Sequence, residues 1–279
     1  MMLVRLVITL VMVFAVSGCS TEPVLDRPVN TQASKEITNS IGMKLTLIPK
    51  GKFMMGSPKN EQGRYESEVE HDVDLTKDFF LGITEVTQAQ YQKVMGLNPS
   101  YFQGDKVQGD SSNHPVEQVA WEDAVLFCER LSDLAEEKKA GRVYRLPTES
   151  EWEYACRAGG KTAYNSGNSP SSLSDYAWFQ ENSDGQTHDV GKKRPNAWGL
   201  YDMHGSVWEW CSDWYGTYPK GSVSNPVGPK EGASHVGRSG SWDDAARVCR
   251  SAVRRWSFPS GRDSINGFRV AMSSPEIPE

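Results

Sequence analysis

Beyond Cys156 the chain loses the hydrophobic periodicity that would predict helices or strands, and this long irregular stretch limits the possible folds more than any other feature. As far as Ser241 the sequence is rich in Gly, Asn, Ser, Asp and Trp, a composition that predicts short strands joined by long loops. The chain has nine Trp and 25 Gly. Aromatic anchors of this kind can hold backbone conformations that regular elements do not use. We therefore predict a domain with little regular secondary structure and long ordered loops.

The body of the chain is predicted to form one domain over residues 37–275. It contains no internal repeats and no low-complexity segments. Alternating apolar residues predict a strand over residues 43–53. A helix is predicted over residues 120–135, because its apolar residues fall on one helical face. These residues are Trp121, Ala124, Val125, Cys128, Leu131 and Leu134.

Two capping-box patterns predict where two further helices begin. Thr87 is followed three residues later by Gln90, and a helix that begins there would end at Gly96. Thr148 and Glu151 repeat the pattern and predict an amphipathic helix after residue 148.

The N-terminus predicts export. Arg5 precedes an apolar run over residues 6–16 that is interrupted only by one Thr and is too short to span a membrane. Residues 1–19 are therefore interpreted as a signal peptide. Its last four residues resemble a bacterial lipobox, in which Cys19 would be lipidated. The alternative is an ordinary cleavage site that leaves Cys19 as a thiol.

The segment that follows predicts a lipid-anchored protein of the bacterial cell envelope. Residues 20–36 are polar and include two Pro, as in a tether between a lipid anchor and a folded domain. Ser20 directly after the lipobox Cys weakly favours the outer membrane over the periplasmic face of the inner one.

The charge of the chain argues against a nucleic-acid partner. The net charge is −6, and the longest run of Lys or Arg is three residues, at 192–194. There is consequently no basic surplus to neutralise phosphates. The five His form no zinc-protease pattern, and the sequence has no nucleophile elbow or phosphate-binding Gly loop.

Ordered loops require compensation, since fixing the backbone of one residue costs roughly 1 to 2 kcal/mol, and a bound cation is one candidate. Asp202 and Glu209 bracket Gly205, so carboxylate and carbonyl oxygens from this segment could converge on calcium. The alternative from the same residues is that Asp202 caps a turn and Glu209 pairs with an Arg.

Several segments, in order along the body, resemble the signatures of formylglycine-generating enzymes, the sulfatase-modifying factor family. They are LIPKGKFMMGS (47–57), EVTQAQY (85–91), WEDAVLFC (121–128), YRLPTESEWEYACRAG (144–159), PNAWGLYDMHGSVWEWCSDWY (195–215), GSW (240–242), CRSAVR (249–254) and GFRV (267–270). The resemblance implies an α+β fold related to C-type lectins that usually holds calcium.

The resemblance also implies two calcium sites. The residues of this chain that match the first are Asp202, Gly205, Val207 and Glu209. The second maps near Ala177, Trp178, Asn182 and Asp184.

The oxidases of this family bind copper through two cysteine thiolates and convert a substrate cysteine of an unfolded sulfatase to formylglycine. The residue that matches the first copper cysteine is Asp244, two residues after Trp242. Counting forward without a gap places Cys249 at the second position, whereas aligning backward from Pro259 moves Cys249 off it. Because Cu(I) requires soft sulfur ligands, copper is not expected to bind.

Four cysteines remain beside Cys19, and an exported domain could pair them in three ways. The resemblance implies that Cys156 forms a disulfide with a cysteine near Cys249, so a Cys156–Cys249 bridge is predicted. The family partner of Cys128 is replaced by Val270. Cys128 is therefore interpreted as a buried thiol, and Cys211 as inert or reactive.

Three functions follow from the resemblance. The first is a noncatalytic module that binds an unfolded peptide or a glycan in a pocket roofed by Trp208, Trp210, Ser241 and Trp242. The second is a sulfatase-maturation oxidoreductase in which Cys249 is catalytic and a sulfatase is the partner. The third is a different enzyme of the family, such as the periplasmic proteins that mature siderophore chromophores.

Overall fold

A computed structural model of the protein describes residues 36–273. The predicted signal peptide, Cys19 and the tether up to residue 35 lie outside the described residues. The strands are β1 (Glu36–Thr38), β2 (Lys44–Ile48), β3 (Gly51–Met55), β4 (His71–Leu75), β5 (Phe79–Gly82), β6 (Tyr144–Arg145), β7 (Trp208–Trp214), β8 (Val223–Ser224), β9 (His235–Arg238), β10 (Arg255–Ser257), β11 (Asn266–Gly267) and β12 (Ala271–Ser273). The α-helices are α1 (Gln88–Met95), α2 (Trp121–Asp133), α3 (Ala135–Lys139) and α4 (Glu149–Arg157). Short 3₁₀ helices cover Gly104–Lys106, Pro170–Asp175 and Ala246–Val248.

The strands form three sheets. The first is antiparallel, with the order β1-β2-β5-β12-β6. The second has the order β10-β9-β7-β11, in which β11 runs parallel to β7. The third has the order β3-β4-β8, and β8 runs parallel to β4. Helix α2 packs against β6 and α4 packs against β3, β7 and β9, which gives a mixed α+β architecture with long loops between short elements.

The strand predicted over residues 43–53 is wrong in extent, because the segment contains two strands in different sheets. β2 pairs with β5 in the first sheet, whereas β3 pairs with β4 in the third. The break falls at Pro49 and Lys50. Pro49 has no backbone N–H for a ladder, and the N–H of Lys50 donates to the carboxylate of Asp78 at 2.7 Å.

The predicted helices are present. Thr87 and Gln90 form a reciprocal capping box on α1, and Gly96 ends it in the left-handed conformation with φ 81°. Thr148 and Glu151 cap α4 in the same way. The helix predicted over 120–135 is shorter, since α2 ends at Asp133 and α3 starts separately at residue 135.

Buried Arg–carboxylate pairs tie the loops to the sheets. Each of these arginines is at most 7% exposed, so each charge requires a partner. The pairs are Arg157 and Arg238 with Glu153, Arg254 with Glu149, Arg250 with Glu61 and Glu68, and Arg269 with Glu209. They hold ordered loops in place.

No helix within residues 36–273 is both long enough and apolar enough to cross a membrane.

Candidate functional site

The loop after β9 contains Asp244, the residue that the sequence analysis matched to the first copper cysteine. One of its carboxylate oxygens accepts hydrogen bonds from Trp208 Nε1 at 2.8 Å and from Ser241 Oγ at 2.6 Å. The side chain is thereby fixed against two residues of the predicted pocket. A hard carboxylate oxygen in this position is a poor ligand for Cu(I).

Cys249 lies on the same loop but is fully buried. Burial raises the pKa of the Cys249 thiol well above its usual range, and the nearby Asp244 carboxylate raises it further. The thiol therefore stays protonated, whereas a metal ligand or nucleophile must be a thiolate. Gly240 has φ 78°, and a Cβ there would lie 2.8 Å from Cys249 Sγ, so the loop packs tightly on the thiol.

The predicted pocket is not open to solvent. Trp208 is 4% exposed, Trp210 2% and Ser241 0%. Trp210 belongs to the apolar core and donates its indole N–H to the Val119 carbonyl at 3.0 Å. Trp242 is half-buried, with its indole N–H on the Ser264 carbonyl at 3.0 Å. Trp210 therefore lies in the apolar core, and of the four residues of the predicted pocket only Trp242 is partly exposed.

The predicted Cys156–Cys249 disulfide is not formed. Both thiols are free, as are the other two cysteines of the described chain. The His204 imidazole separates the two residues: its Nε2 lies 3.8 Å from Cys156 Sγ, and its Nδ1 donates to the Cys249 carbonyl at 2.7 Å. The side chain that contacts the Cys156 thiol from the CRSAVR segment is Ser251, which cannot form a disulfide.

The residues of the first expected calcium site lie in the turn before β7 and at its start. Gly205 has φ 73°, and a Cβ there would lie 2.1 Å from the Trp178 carbonyl oxygen, so only Gly fits. Glu209 is fully buried. Its carboxylate accepts two hydrogen bonds from Arg269 at 2.6 and 2.7 Å and one from Trp152 Nε1 at 2.7 Å. For Glu209 the structure matches the alternative interpretation, an Arg pair. Val207, between Gly205 and Glu209, is also fully buried.

Asp202 is 1% exposed, and its carboxylate accepts fewer hydrogen bonds than that of Glu209. Its Oδ2 accepts the Gly191 N–H at 2.7 Å, but Oδ1 has no hydrogen-bond partner among the described residues. Both carboxylate oxygens of Glu85 are likewise buried and unpaired there. Burial and then the Asp202 charge raise the pKa of Glu85 well above its usual range, and burial raises the pKa of Asp202 to about 6.

Glu85 is the residue that the sequence analysis missed. It opens the EVTQAQY segment, which was recognised as a family signature but given no role. Three buried oxygens without donors are the kind of site that a hard cation such as calcium would satisfy. Within residues 36–273, however, no three His, Cys, Asp or Glu side chains are arranged to hold a metal, so backbone carbonyls or water would have to complete the coordination.

The residues matched to the second calcium site are engaged with each other. Asn182 accepts from the Phe179 N–H at 2.8 Å and donates to the Ala177 carbonyl at 2.9 Å. The Trp178 carbonyl accepts the Ser206 N–H at 2.7 Å, and Asp184 is exposed. The structure thus explains these residues as a local turn.

Short mixed sheets, long loops fixed by buried charges and a Gly-dependent turn before β7 together define a domain of the formylglycine-generating type. Residues 30–274 match the Sulfatase-modifying factor enzyme 1-like domain. The chain belongs to this family.

Curated relatives include proteins of different kinds. "Chaperone protein LppX" of Paenibacillus barcinonensis is 30% identical over 70% of this chain and 80% of its own length. Formylglycine-generating enzyme of Mus musculus is 36% identical over 57% of this chain and 44% of its own length. Serine/threonine-protein kinase pkn1 of Chlamydia pneumoniae is 30% identical over 90% and 41%. The chain therefore spans less than half the length of the latter two.

Two solved structures support the same fold. Treponema denticola variable protein 1 superposes with a TM-score of 0.78 at 33% identity, over 88% of this chain and 100% of that one. PvdO from Pseudomonas aeruginosa gives a TM-score of 0.74 at 28% identity, over 86% and 98%. The predicted family and the loop-rich α+β fold are confirmed.

Proposed function

We propose that this protein is a noncatalytic member of its family that binds a polypeptide or glycan ligand at the bacterial cell envelope, where Cys19 anchors it by lipid. The observation that carries the proposal is the Asp244 carboxylate. It stands at the first copper-cysteine position and is held there by Trp208 and Ser241. Cys249 is then a single buried thiol that cannot supply two thiolates to copper.

The relatives support a binding role without requiring oxidase chemistry. One is a chaperone protein, a kind of protein whose ligand is another polypeptide. We propose the same class of ligand here, an unfolded or extended peptide, in preference to a glycan.

We also propose a structural calcium ion. Glu85 and Asp202 would supply the carboxylate oxygens, since their unpaired buried oxygens already lack donors. Gly205 and Val207 would supply carbonyl oxygens from the turn before β7. The ion would neutralise two carboxylates that burial otherwise penalises.

Copper titration tests the absence of oxidase chemistry. The purified chain is titrated with Cu(I) against a chromophoric chelator, beside Cys249→Ser and Asp244→Cys variants. We expect the wild-type chain and Cys249→Ser to compete equally poorly, because neither has a pair of thiolates. The same samples are incubated with a cysteine-containing sulfatase peptide and oxygen, and no aldehyde product is expected.

Two results of these experiments would contradict the noncatalytic function. Conversion of the peptide to its aldehyde by the wild-type chain, with turnover lost in Cys249→Ser, would show that the protein is an oxidase. Tight Cu(I) binding by the wild-type chain that is lost in Cys249→Ser would contradict the proposal in the same way.

A further inference from the structure

A cavity of about 450 Å³ lies between the start of α4, the end of β7 and the loop that follows β7. Its lining includes neither Trp208, Ser241, Trp242 and Asp244 nor the pair Glu85 and Asp202. It is therefore separate from both sites described above. Its size is in the range of small-molecule and side-chain pockets.

The cavity lining carries one arginine, Arg254, and two acidic residues, Glu149 and Asp213. Arg254 donates two hydrogen bonds to Glu149, at 2.8 and 2.7 Å, and the Tyr218 hydroxyl donates a third at 2.9 Å. Glu149 is thus compensated. Asp213 also lines the cavity and is 3% exposed, but it has no ion pair among the described residues.

The hydrogen bonds of Asp213 leave one oxygen available to a ligand. Oδ2 accepts the Glu149 N–H at 2.9 Å and the Ser212 hydroxyl at 3.0 Å. Oδ1 accepts no hydrogen bond from residues 36–273. Burial and then the neighbouring Glu149 raise the pKa of Asp213 to about 7, which is the behaviour of a carboxylate that lacks a cation.

His71 provides a second acceptor on the cavity lining. Its Nδ1 lies 2.9 Å from the Val69 carbonyl. A carbonyl oxygen can only accept, so Nδ1 carries a proton, and in the tautomer with a single ring proton Nε2 presents a lone pair. The remaining walls are largely apolar and include Met55, Val223 and Val227. A largely apolar cavity with two hydrogen-bond acceptors on its lining fits an ammonium group carried on an alkyl arm.

We propose that this cavity binds the side chain of a lysine in a polypeptide ligand, with Asp213 as the counter-ion of the ammonium group and His71 Nε2 as a second acceptor. The inference rests on the proposed binding role and deepens it by assigning a site and a ligand chemistry. An arginine side chain is disfavoured because its planar fork needs several acceptors.

The test is an NMR titration of the isotope-labelled full chain, followed at the Trp214 indole N–H on the cavity lining. The probes are an acetylated and amidated Ala-Lys-Ala peptide, the same peptide with norleucine in place of lysine, and n-butylamine. We expect saturable shifts with the lysine peptide and none with the norleucine peptide. Asp213→Asn should weaken binding at least tenfold.

Two further variants keep the test decisive. Glu117→Gln is the matched control, since Glu117 is also buried with its pKa raised to about 7 but does not line the cavity. It should bind like the wild type. Val227→Trp fills the cavity from its rim, where Val227 is 64% exposed and folding is not at risk, and it should abolish binding.

Equal binding of the norleucine peptide, or full binding by Val227→Trp, would overturn the proposal. Binding of butylamine without binding of the peptide would overturn the assignment to a polypeptide. These outcomes are independent of the copper titration. The titration can contradict the noncatalytic function while lysine binding is still observed. Lysine binding can likewise fail while the titration supports the noncatalytic function.

Discussion

At the scale of single residues, the molecule depends on arginines that are buried together with their counter-ions. Arg269 and Glu209 are both 0% exposed, and Arg269 also donates to the Gly82 and Tyr201 carbonyls at 3.0 Å. One side chain thereby joins β5, β7 and the loop before β7. Such a pair contributes little net free energy as a unit, but removal of one partner leaves a buried charge uncompensated.

Arg269→Met should therefore lower the free energy of unfolding by about 3 to 5 kcal/mol, measured by urea denaturation with Trp fluorescence. The matched control is Arg262→Met, which breaks an ion pair with Asp123 in which Arg262 is 51% exposed. Exposed pairs contribute about 0 to 1 kcal/mol. Similar losses in the two variants would show that Glu209 does not depend on Arg269.

Asp213 should make stability depend on pH. Its pKa is raised from 3.8 to about 7 in the folded protein, so the folded state keeps a proton that the unfolded state releases. The stabilisation is complete below pH 3.8 and is lost as the pH rises to about 7, to an extent of about 4 kcal/mol. Urea unfolding of the wild type and Asp213→Asn between pH 4.5 and 8 measures it. The variant should show the shallower decline, and parallel curves would contradict the assignment.

At the scale of elements, α4 carries much of the architecture. Its buried face presents Glu149 to Arg254, Glu153 to Arg238 and Trp152 to the Glu209–Arg269 pair. The start of the helix is fixed by Thr148, whose hydroxyl accepts the Glu151 N–H at 3.1 Å. The position of the cap thus sets the position of all three side chains.

Thr148→Ala should lower the free energy of unfolding by about 1 kcal/mol, because the first turn loses a hydrogen-bond acceptor. Thr148→Ser is the matched control, since its hydroxyl can accept the same bond, and it should retain most of the stability. The measurement is chemical denaturation of the three proteins side by side. Equal loss in both variants would indicate that the methyl group of Thr148, not its hydroxyl, stabilises α4.

Elements with local signals were predictable from the sequence. The caps of α1 and α4 follow from residues three positions apart, so Thr87 and Thr148 were found correctly. The division of residues 43–53 between two sheets was not predictable from the sequence. It depends on the pairing of the first half with β5 and of the second half with β4. Alternation alone predicts a strand but does not identify its partner.

For the candidate sites, too, the sequence predicted local features but not the contacts between distant segments. Motif matching predicts that Asp244 replaces the first copper cysteine, because a residue type at a fixed position is sequence information. It did not predict that Glu85 meets Asp202, more than one hundred residues away. It also placed Cys249 beside Cys156, where the fold inserts His204.

At the scale of the whole molecule, the long loops are fixed largely by buried charge pairs, whereas Glu85 and Asp202 meet as two buried carboxylates that form no ion pair among the described residues. Their unpaired oxygens lie between the loop after β5 and the turn before β7. A bound cation would join these segments and stabilise only the folded chain.

Calcium at about 100 times its dissociation constant should accordingly raise Tm by roughly 5 to 10 °C, and EDTA should reverse the shift. Differential scanning fluorimetry measures it. Glu85→Gln and Asp202→Asn should each reduce the shift, because each removes one of the two charges that attract the ion. Glu117→Gln, a buried carboxyl whose pKa is also raised, should keep the full shift. A wild-type Tm that responds neither to calcium nor to EDTA would show that the two acids share a proton instead of a metal ion.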